Sequence, residues 1–426
     1  MSALHARPGS EAETWAEGLA WLWRLGAVEP APGPNAIGVG TESEAAELSR
    51  VVQAGELRGA IVAVRAPGDA AGIPARRVSG VASFGPGARV AGEFVLLERG
   101  EPAAESSLGV HAAVDSGVLY LGYDPDRDWG RLDSFWAFEA AAAYLRERAV
   151  ELTLLPPIGA LRLDDIPGTA LHQLQDRAKP DRRQALRIRR TSTRLRAAGA
   201  VLNVAVSAEA LDDGARVPLD RVWPRSVEAL HDGVERGAYE PVCHGLLHLD
   251  TDALERGEVE FREFGSLDAA EAGRRLDLAL AWQELHLARP TTFCAPAWTY
   301  GEAGDEQAAA RGLVRWYRAS PGPVLSDGRL RETLIGELPG IHELDYAPLQ
   351  RLAAVGVPPI VAMHGALLDS RMVHLSPRRN PVLLARLLLK RDVTRIMRLP
   401  GIRWLGAAEF VAALERHADG RAEAPG

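Results

Sequence analysis

From residue 158 onward, short apolar runs alternate with longer helical patterns, and this alternation restricts the fold more than any other feature of the sequence. The runs that predict buried strands are GALRLDD, VLNVAVS, YEPVCHG, TTFCAPA, PPIVAMHG and IRWLG. Helices are predicted at 169–198, near 224–236, and at 268–288, 380–397 and 407–416. Such spacing favours parallel βα units in a barrel or a doubly wound sheet. In these folds the chemistry lies at the carboxyl ends of the strands.

Residues 1–157 predict a smaller α/β domain that ends near Pro156 and Pro157. The first ten residues are polar and expected to be disordered, and the pattern Thr41-x-x-Glu44 predicts a capped helix start. This region is weakly similar to glutamine-amidotransferase-like domains, but it contains no cysteine to act as their nucleophile. We therefore expect an accessory, non-catalytic domain at 1–157, a catalytic domain at 158–415 and a polar tail at 416–426.

The composition is that of an ordinary globular protein and excludes several classes of function. The 426 residues carry a net charge of −8, whereas a dedicated nucleic-acid binder would be basic. No apolar run is long enough to span a membrane, and the N-terminus lacks the pattern of a signal peptide. The two cysteines, Cys243 and Cys294, provide no disulfide framework. These features predict a cytoplasmic enzyme with a small-molecule substrate, and they leave its oligomeric state open.

Two motifs suggest a metal site, and each has a simpler reading when taken alone. Asp164 and Asp165 end a predicted strand, where one carboxylate could bind a cation while the other serves as a base. They could equally be a helix cap and a surface charge. His244 and His248 are four positions apart, a spacing that brings both imidazoles to one ion if the segment is helical. Two solvated or capping histidines would show the same spacing.

Two further motifs add candidate substrate and acid residues. Trp298 and Tyr300 follow the strand TTFCAPA and could stack on a sugar ring, or they could be core aromatics beneath a loop. His364 ends the strand PPIVAMHG, where a histidine can protonate a leaving group near neutral pH. As a lone residue His364 could equally be structural.

Taken in order, LRLDDIPG, HGLLH, FCAPAW and VAMHG resemble the motifs of the polysaccharide deacetylase family, also called NodB-homology or carbohydrate esterase family four. The resemblance covers about 158–415 and implies a distorted (β/α) barrel with a metal-dependent hydrolytic site.

The resemblance also implies a role for each matching position. Asp165, His244 and His248 match the metal ligands, with zinc first and cobalt, nickel or manganese as alternatives. Asp164 matches the catalytic base and His364 the acid. A backbone N–H near Ala297 would then hold the oxyanion.

The sequence departs from the family pattern at several positions. Cys294 stands where the family has the arginine that orients the base, and Arg162 is expected to point the other way along its strand and not to replace it. Gly245 follows His244 where the sugar deacetylases commonly have Ser or Thr. Asp345 is the candidate for the aspartate that supports the acid histidine.

These observations predict a metal-dependent hydrolase that removes an acetyl group from an amino sugar or a similar small N-acylated metabolite. Two alternatives stay open. One is a hydrolase of cyclic amides or ureides from the same superfamily. The other is a non-catalytic binding or regulatory protein on a decayed barrel, which the missing arginine at Cys294 would favour.

Overall fold

The computed structural model describes residues 4–64, 75–83, 89–97, 101–106, 109–130, 135–174, 180–333, 347–364 and 396–420. Its helices are α1 (Glu11–Trp23), α2 (Ala45–Gln53), α3 (Pro125–Asp128), α4 (Phe135–Glu147), α5 (Ala170–Leu174), α6 (Asp181–Ala197), α7 (Leu219–Val222), α8 (Pro224–Glu235), α9 (Thr251–Glu255), α10 (Ala269–His286), α11 (Gly301–Ala310), α12 (Ala347–Ala354) and α13 (Ala407–Asp419). None of the helices in these ranges is long and apolar enough to cross a membrane.

The N-terminal strands form one mixed sheet. They are β1 (Leu4–His5), β2 (Ile37–Thr41), β3 (Gly59–Ala63), β4 (Ala75–Ser83), β5 (Arg89–Leu97), β6 (Glu101–Ser106), β7 (Gly109–Asp115) and β8 (Val118–Leu121). The order is β1-β2-β3-β8-β7-β5-β4, with β6 paired to β7. Strands β1, β2, β3 and β8 are neighbours in this order and run parallel to one another. The remaining pairs, which involve β4 to β7, are antiparallel. This arrangement confirms the α/β character predicted for the N-terminal region.

The C-terminal strands form the sheet that carries the predicted motifs. They are β9 (Ile158–Asp164), β10 (Leu202–Val206), β13 (Tyr239–Cys243), β14 (Thr292–Phe293), β15 (Val314–Tyr317), β16 (Leu325–Ser326), β17 (Arg329–Arg331), β18 (Ile360–His364) and β19 (Arg403–Trp404). Two more strands, β11 (Glu209–Asp212) and β12 (Ala215–Pro218), form a separate antiparallel hairpin. The order is β16-β17-β15-β14-β13-β10-β9-β18, with β19 paired to β9. Apart from the β16–β17 pair, every neighbour in this sheet is parallel.

The two ends of this sheet approach each other. Thr333, two residues beyond β17, donates its backbone N–H to the carbonyl oxygen of Ile360 in β18 at 3.1 Å. The Ile360 N–H in turn donates to the Thr333 hydroxyl oxygen at 2.8 Å. The parallel strands therefore curve into a distorted barrel whose seam between β17 and β18 is bridged by these bonds. The carboxyl ends of its parallel strands lie at one rim.

The two sheets pack against each other through a shared core. One continuous buried cluster includes Trp23 and Phe135 from the N-terminal region together with Val357 and Trp404 from the barrel. The Trp23 indole N–H donates to the Val355 carbonyl oxygen at 2.8 Å, and this bond is buried.

Several predicted elements need correction. The beginning of the chain is not all disordered, because β1 pairs in parallel with β2. In place of the single helix predicted at 169–198, the described residues form two helices, α5 and α6. The last helix extends to Asp419, so it includes the first residues of the predicted tail. The predicted helix at 380–397 and Asp345 lie outside the described residues, apart from the last two positions of that helix. The capping box at Thr41 and Glu44 is confirmed.

Candidate metal centre

Asp164 and Asp165 lie at the rim where β9 ends. Asp164 is the last residue of the strand, and Asp165 turns out of it with a φ of 65°. An extended strand would send the two side chains to opposite faces. The left-handed turn at Asp165 changes its direction, and its carboxylate lies against both histidines of the HGLLH segment. Both aspartates are buried.

The HGLLH segment is a loop after β13 and not a helical turn, so the helical geometry predicted for His244 and His248 is wrong. Gly245 and His248 both have left-handed backbones, with φ values of 79° and 68°. The loop nevertheless brings the two rings together, with centroids 4.9 Å apart. Ser207, which follows β10, donates its hydroxyl to the His244 carbonyl oxygen at 3.0 Å and ties the loop to the next strand.

Three ligand atoms converge at this rim. The Oδ1 of Asp165 lies 3.5 Å from His244 Nε2 and 3.3 Å from His248 Nε2. One ligand atom from each residue lies within 4.8 Å of the others, and all three residues are buried. The Nδ1 of His244 is 2.8 Å from the Cys294 carbonyl oxygen, so a proton on Nδ1 leaves Nε2 as a lone-pair donor.

This donor set fits a divalent cation. Two imidazoles and one carboxylate are typical of catalytic zinc sites, which leave further positions open. Bond lengths of about 2.0–2.1 Å around a tetrahedral ion place neighbouring ligand atoms about 3.4 Å apart. The observed separations of 3.3 and 3.5 Å match that spacing.

Glu263 is a site residue that the sequence reasoning missed. Its carboxylate is completely buried and accepts the backbone N–H groups of Leu246, Leu247 and His248 at 2.9–3.3 Å. Burial raises the pKa of Glu263, while Arg275, at 3.6 Å, and the three N–H groups oppose that shift. Successive N–H groups that wrap one anion hold a backbone in a fixed shape. Glu263 therefore fixes the loop that supplies both histidine ligands.

Gly245 is explained by the same carboxylate. A Cβ at Gly245 would collide with the Glu263 side chain, and the φ of 79° would strain any other residue. The buried Glu263 leaves no room for the Ser or Thr that the sugar deacetylases commonly have at this position, so glycine is required here. No local signal in the sequence links two residues 18 positions apart.

Arg162 holds Asp164 through a bidentate ion pair, so the prediction that it points away is wrong. Its Nε donates to Asp164 Oδ1 at 2.6 Å and its Nη2 to Oδ2 at 3.0 Å. Residues two apart on a strand project from the same face, which is the rule that the prediction overlooked. Cys294 lies close enough to this pair for Arg162 to lower and Asp164 to raise the pKa of its thiol. The guanidinium expected at Cys294 is thus supplied from β9.

A second buried carboxylate completes this charge cluster. Glu332 lies 3.3 Å from Arg162 Nη2 and accepts the indole N–H of Trp298 at 3.1 Å. Burial raises the pKa of Glu332 to about 7, although Arg162 opposes the shift. Burial disfavours the charged form of Arg162, but Asp164 and its other anionic neighbours raise the pKa of Arg162 overall. The guanidinium is therefore held as a cation between two acids.

The other predicted residues are placed differently. Trp298 is half-buried beside this cluster. Tyr300 is only 4% exposed, and its hydroxyl donates to the carbonyl oxygens of Phe293 and Trp316. Of the two alternatives left open by the sequence, Tyr300 is therefore a core aromatic and does not offer its ring to a substrate. Ala297 has a left-handed backbone with a φ of 53° and is half-buried. His364 ends β18 in register with Asp164, and only its backbone is among the described residues.

Both cysteines are buried core residues. Cys243 is the last residue of β13, and its carbonyl oxygen accepts the Cys294 N–H at 2.9 Å. Burial raises the pKa of Cys243 to about 12 and that of Cys294 well above its usual value. Thiols in this form are poor nucleophiles and poor metal ligands. Their position beside the site reflects packing between β13 and β14.

Comparisons with known proteins give structural neighbours only. No protein-family model and no curated protein matches the sequence. A family 4 carbohydrate esterase from Streptomyces lividans, solved in complex with acetate, aligns at 11% identity with a TM-score of 0.33, over 64% of this chain and 100% of its own. The Xyl-CE4 domain of a multidomain xylanase from the hindgut metagenome of Trinervitermes trinervoides aligns at 10% identity with a TM-score of 0.32, over 60% of this chain and 90% of its own.

A third neighbour is described as a pseudoenzyme. This CE4 family protein from Bacillus anthracis aligns at 9% identity with a TM-score of 0.31, over 59% of this chain and 70% of its own.

Substitution of Glu263 by Gln should weaken metal binding without removing a ligand. The amide keeps only one acceptor oxygen and turns an NH₂ group towards three N–H donors, so the loop should lose its fixed shape. Loss of such a supporting contact typically lowers metal affinity by about 10- to 100-fold. A titration with Co²⁺, followed by its visible absorption, measures the affinity.

The matched control is Glu271→Gln. Glu271 also pairs with Arg275 but lies on α10 and makes no bond to the loop. It should bind Co²⁺ like the unmodified protein. Equal affinity of the Glu263→Gln variant and this control would show that Glu263 does not support the site.

Proposed function

We propose that this chain is a metal-dependent hydrolase of an amide bond that removes the acetyl group from an amino sugar or a similar small N-acylated molecule. One observation carries the proposal. The buried cluster of Asp165, His244 and His248 lies beside a second carboxylate, Asp164, whose two oxygens are both held by Arg162. A site built only for structure would not need an oriented carboxylate next to three ligand atoms.

Asp165, His244 and His248 would hold the divalent ion, with zinc as the first candidate. Such an ion polarises an amide carbonyl and lowers the pKa of a water molecule at the site. Asp164 accepts a proton from the water that attacks the carbonyl carbon. A carboxylate oxygen engaged by a guanidinium keeps a second lone pair for this proton.

The remaining steps are assigned to residues of the same rim. The N–H of Ala297 donates to the carbonyl oxygen as negative charge develops there. His364 donates a proton to the nitrogen as the C–N bond breaks, which releases the amine. Trp298 offers an apolar ring beside the site for the body of the substrate.

Arg162 also bears on the competing interpretation of a decayed binding protein. That interpretation rested on the missing arginine at Cys294. Since Arg162 supplies a bidentate guanidinium to Asp164, the base keeps an orienting partner.

Replacing Asp164 by Asn should lower the rate of hydrolysis by about 10²- to 10⁴-fold, because the amide cannot accept the proton. Acetate and free amine are measured with Zn²⁺- or Co²⁺-loaded protein on a panel of N-acetylated sugars and amino acids. Cyclic amides and ureides in the same panel test for ring-opened products. Asp212→Asn, at an exposed aspartate of β11, serves as the control and should keep full activity. Release of no product from any compound would contradict the proposal.

The arginine can be moved between strands as a second test. Arg162→Leu should reduce the turnover number more than it changes the Michaelis constant, since the guanidinium acts on the base and not on the substrate. Adding Cys294→Arg to this variant should restore part of the lost rate, because it returns a guanidinium to the neighbourhood of Asp164 from the residue that follows β14. If the double variant folds, binds metal and gains no rate over Arg162→Leu, the orienting role assigned to Arg162 is wrong.

A further inference from the structure

A pocket of about 320 Å³ adjoins Trp298 at the same rim of the barrel. It lies between the residues that follow β15 and the strand β17. Its polar and aromatic lining comes from Trp298, Tyr317, Arg318, Ser320, Arg329 and Arg331. The lining is thus unusually rich in arginine for a chain whose net charge is −8.

Three arginines and no acidic residue are among the described residues that line this pocket. Asp305 is the acidic partner of Arg329, and it is shared with Arg315 and with the hydroxyl of Tyr317. Within the described ranges, no carboxylate lies within 4.0 Å of Arg318 or Arg331. A pocket with this excess attracts an anion from solution.

Arg331 is held in place by neutral groups. Its Nη1 donates to the Pro323 carbonyl oxygen at 2.8 Å and to the Ser326 hydroxyl at 3.0 Å. Burial and the neighbouring Arg329 lower the pKa of Arg331, while Tyr317 and the more distant carboxylates of Asp327 and Glu17 oppose that shift. Its head group is therefore oriented before any ligand arrives, which reduces the entropy lost on binding.

Arg318 is the solvent-exposed arginine of the pocket. Its guanidinium carbon lies 5.8 Å from the centre of the Trp298 ring. A guanidinium in this position can leave the indole to form paired hydrogen bonds with a carboxylate or phosphate.

Trp298 connects the pocket to the proposed catalytic residues. The same ring lines the pocket, donates to Glu332 and lies 6.0 Å from the Arg162 guanidinium carbon. Arg162 in turn holds Asp164. A substrate whose amide lies at the metal centre can therefore extend past Trp298 and place a remote group among the arginines.

We propose that this pocket binds an anionic group of the substrate, so that the natural substrate is an N-acylated compound with a carboxylate or a phosphate ester remote from its amide. This inference rests on the proposed function for the amide, but the pocket itself can be tested without hydrolysis.

Binding is measured by calorimetry on metal-depleted protein, which cannot complete the reaction. The probes are an N-acetylated amino sugar, its phosphate monoester and its uronic acid form. The two anionic probes distinguish a phosphate from a carboxylate as the preferred group. At least one of them should bind about 10- to 100-fold more tightly than the neutral sugar, as expected for one or two charge-assisted hydrogen bonds. The preference should weaken as salt is added.

Two variants locate the effect. Arg318→Gln and Arg331→Gln should each lower the affinity for the anionic probe and leave that for the neutral sugar unchanged. Arg318 is exposed, so its variant should fold even if Arg331→Gln is destabilised. The control Arg289→Gln, at an exposed arginine beyond α10, should retain the preference.

The outcomes separate the pocket from the chemistry. Equal affinity for the neutral and anionic probes, or an anion preference that survives in both pocket variants, overturns the pocket even if the metal-loaded protein hydrolyses amides. An anion preference that is lost in the pocket variants supports the proposed anion pocket. If that preference is found but the metal-loaded protein hydrolyses none of the probes, the pocket is supported and only the proposed hydrolase function fails.

Discussion

The site depends on one buried cation, the Arg162 guanidinium between Asp164 and Glu332. Removing one partner of a buried ion pair typically destabilises a protein by about 3–5 kcal/mol, because the other charge stays buried and unpaired. The cluster therefore cannot lose Arg162 without a penalty to the barrel itself. It also links Asp164, the proposed base, to Trp298 in the pocket lining through a hydrogen-bonded ion pair, an ion pair to Glu332 and a hydrogen bond from the indole.

His244 and His248, the proposed ligands, depend on a second buried charge of opposite sign. Their loop contains left-handed residues and is shaped by the carboxylate of Glu263, which is itself neutralised in part by Arg275. Both halves of the metal centre thus use a fully buried ion to position groups at the rim. One is a guanidinium that orients a carboxylate, and the other is a carboxylate that orients a backbone.

Much of the barrel follows from sequence periodicity. The strands β9, β10, β13 and β18 and the helices α8 and α10 lie where the apolar patterns predicted them. From the rule that chemistry lies at the carboxyl ends of parallel strands, we predicted that Asp165, His244 and His248 lie close together, and the structure places them so. The local geometry was less predictable, because HGLLH has the spacing of a helix yet takes its shape from Glu263. The pairing of Arg162 with Asp164 was predictable from the two-residue period of a strand. The positions of Glu332 and of the arginine pocket depend instead on the pairing of β17 with β15, which the sequence does not reveal.

The most direct test of this account is the metal content of protein purified without a chelator. We expect one divalent ion per chain in the unmodified protein and a large loss of that ion in His248→Ala, with the fold retained. A native protein that holds no divalent ion, and takes up none when Zn²⁺ or Co²⁺ is supplied, would contradict the central claim that Asp165, His244 and His248 form a metal site.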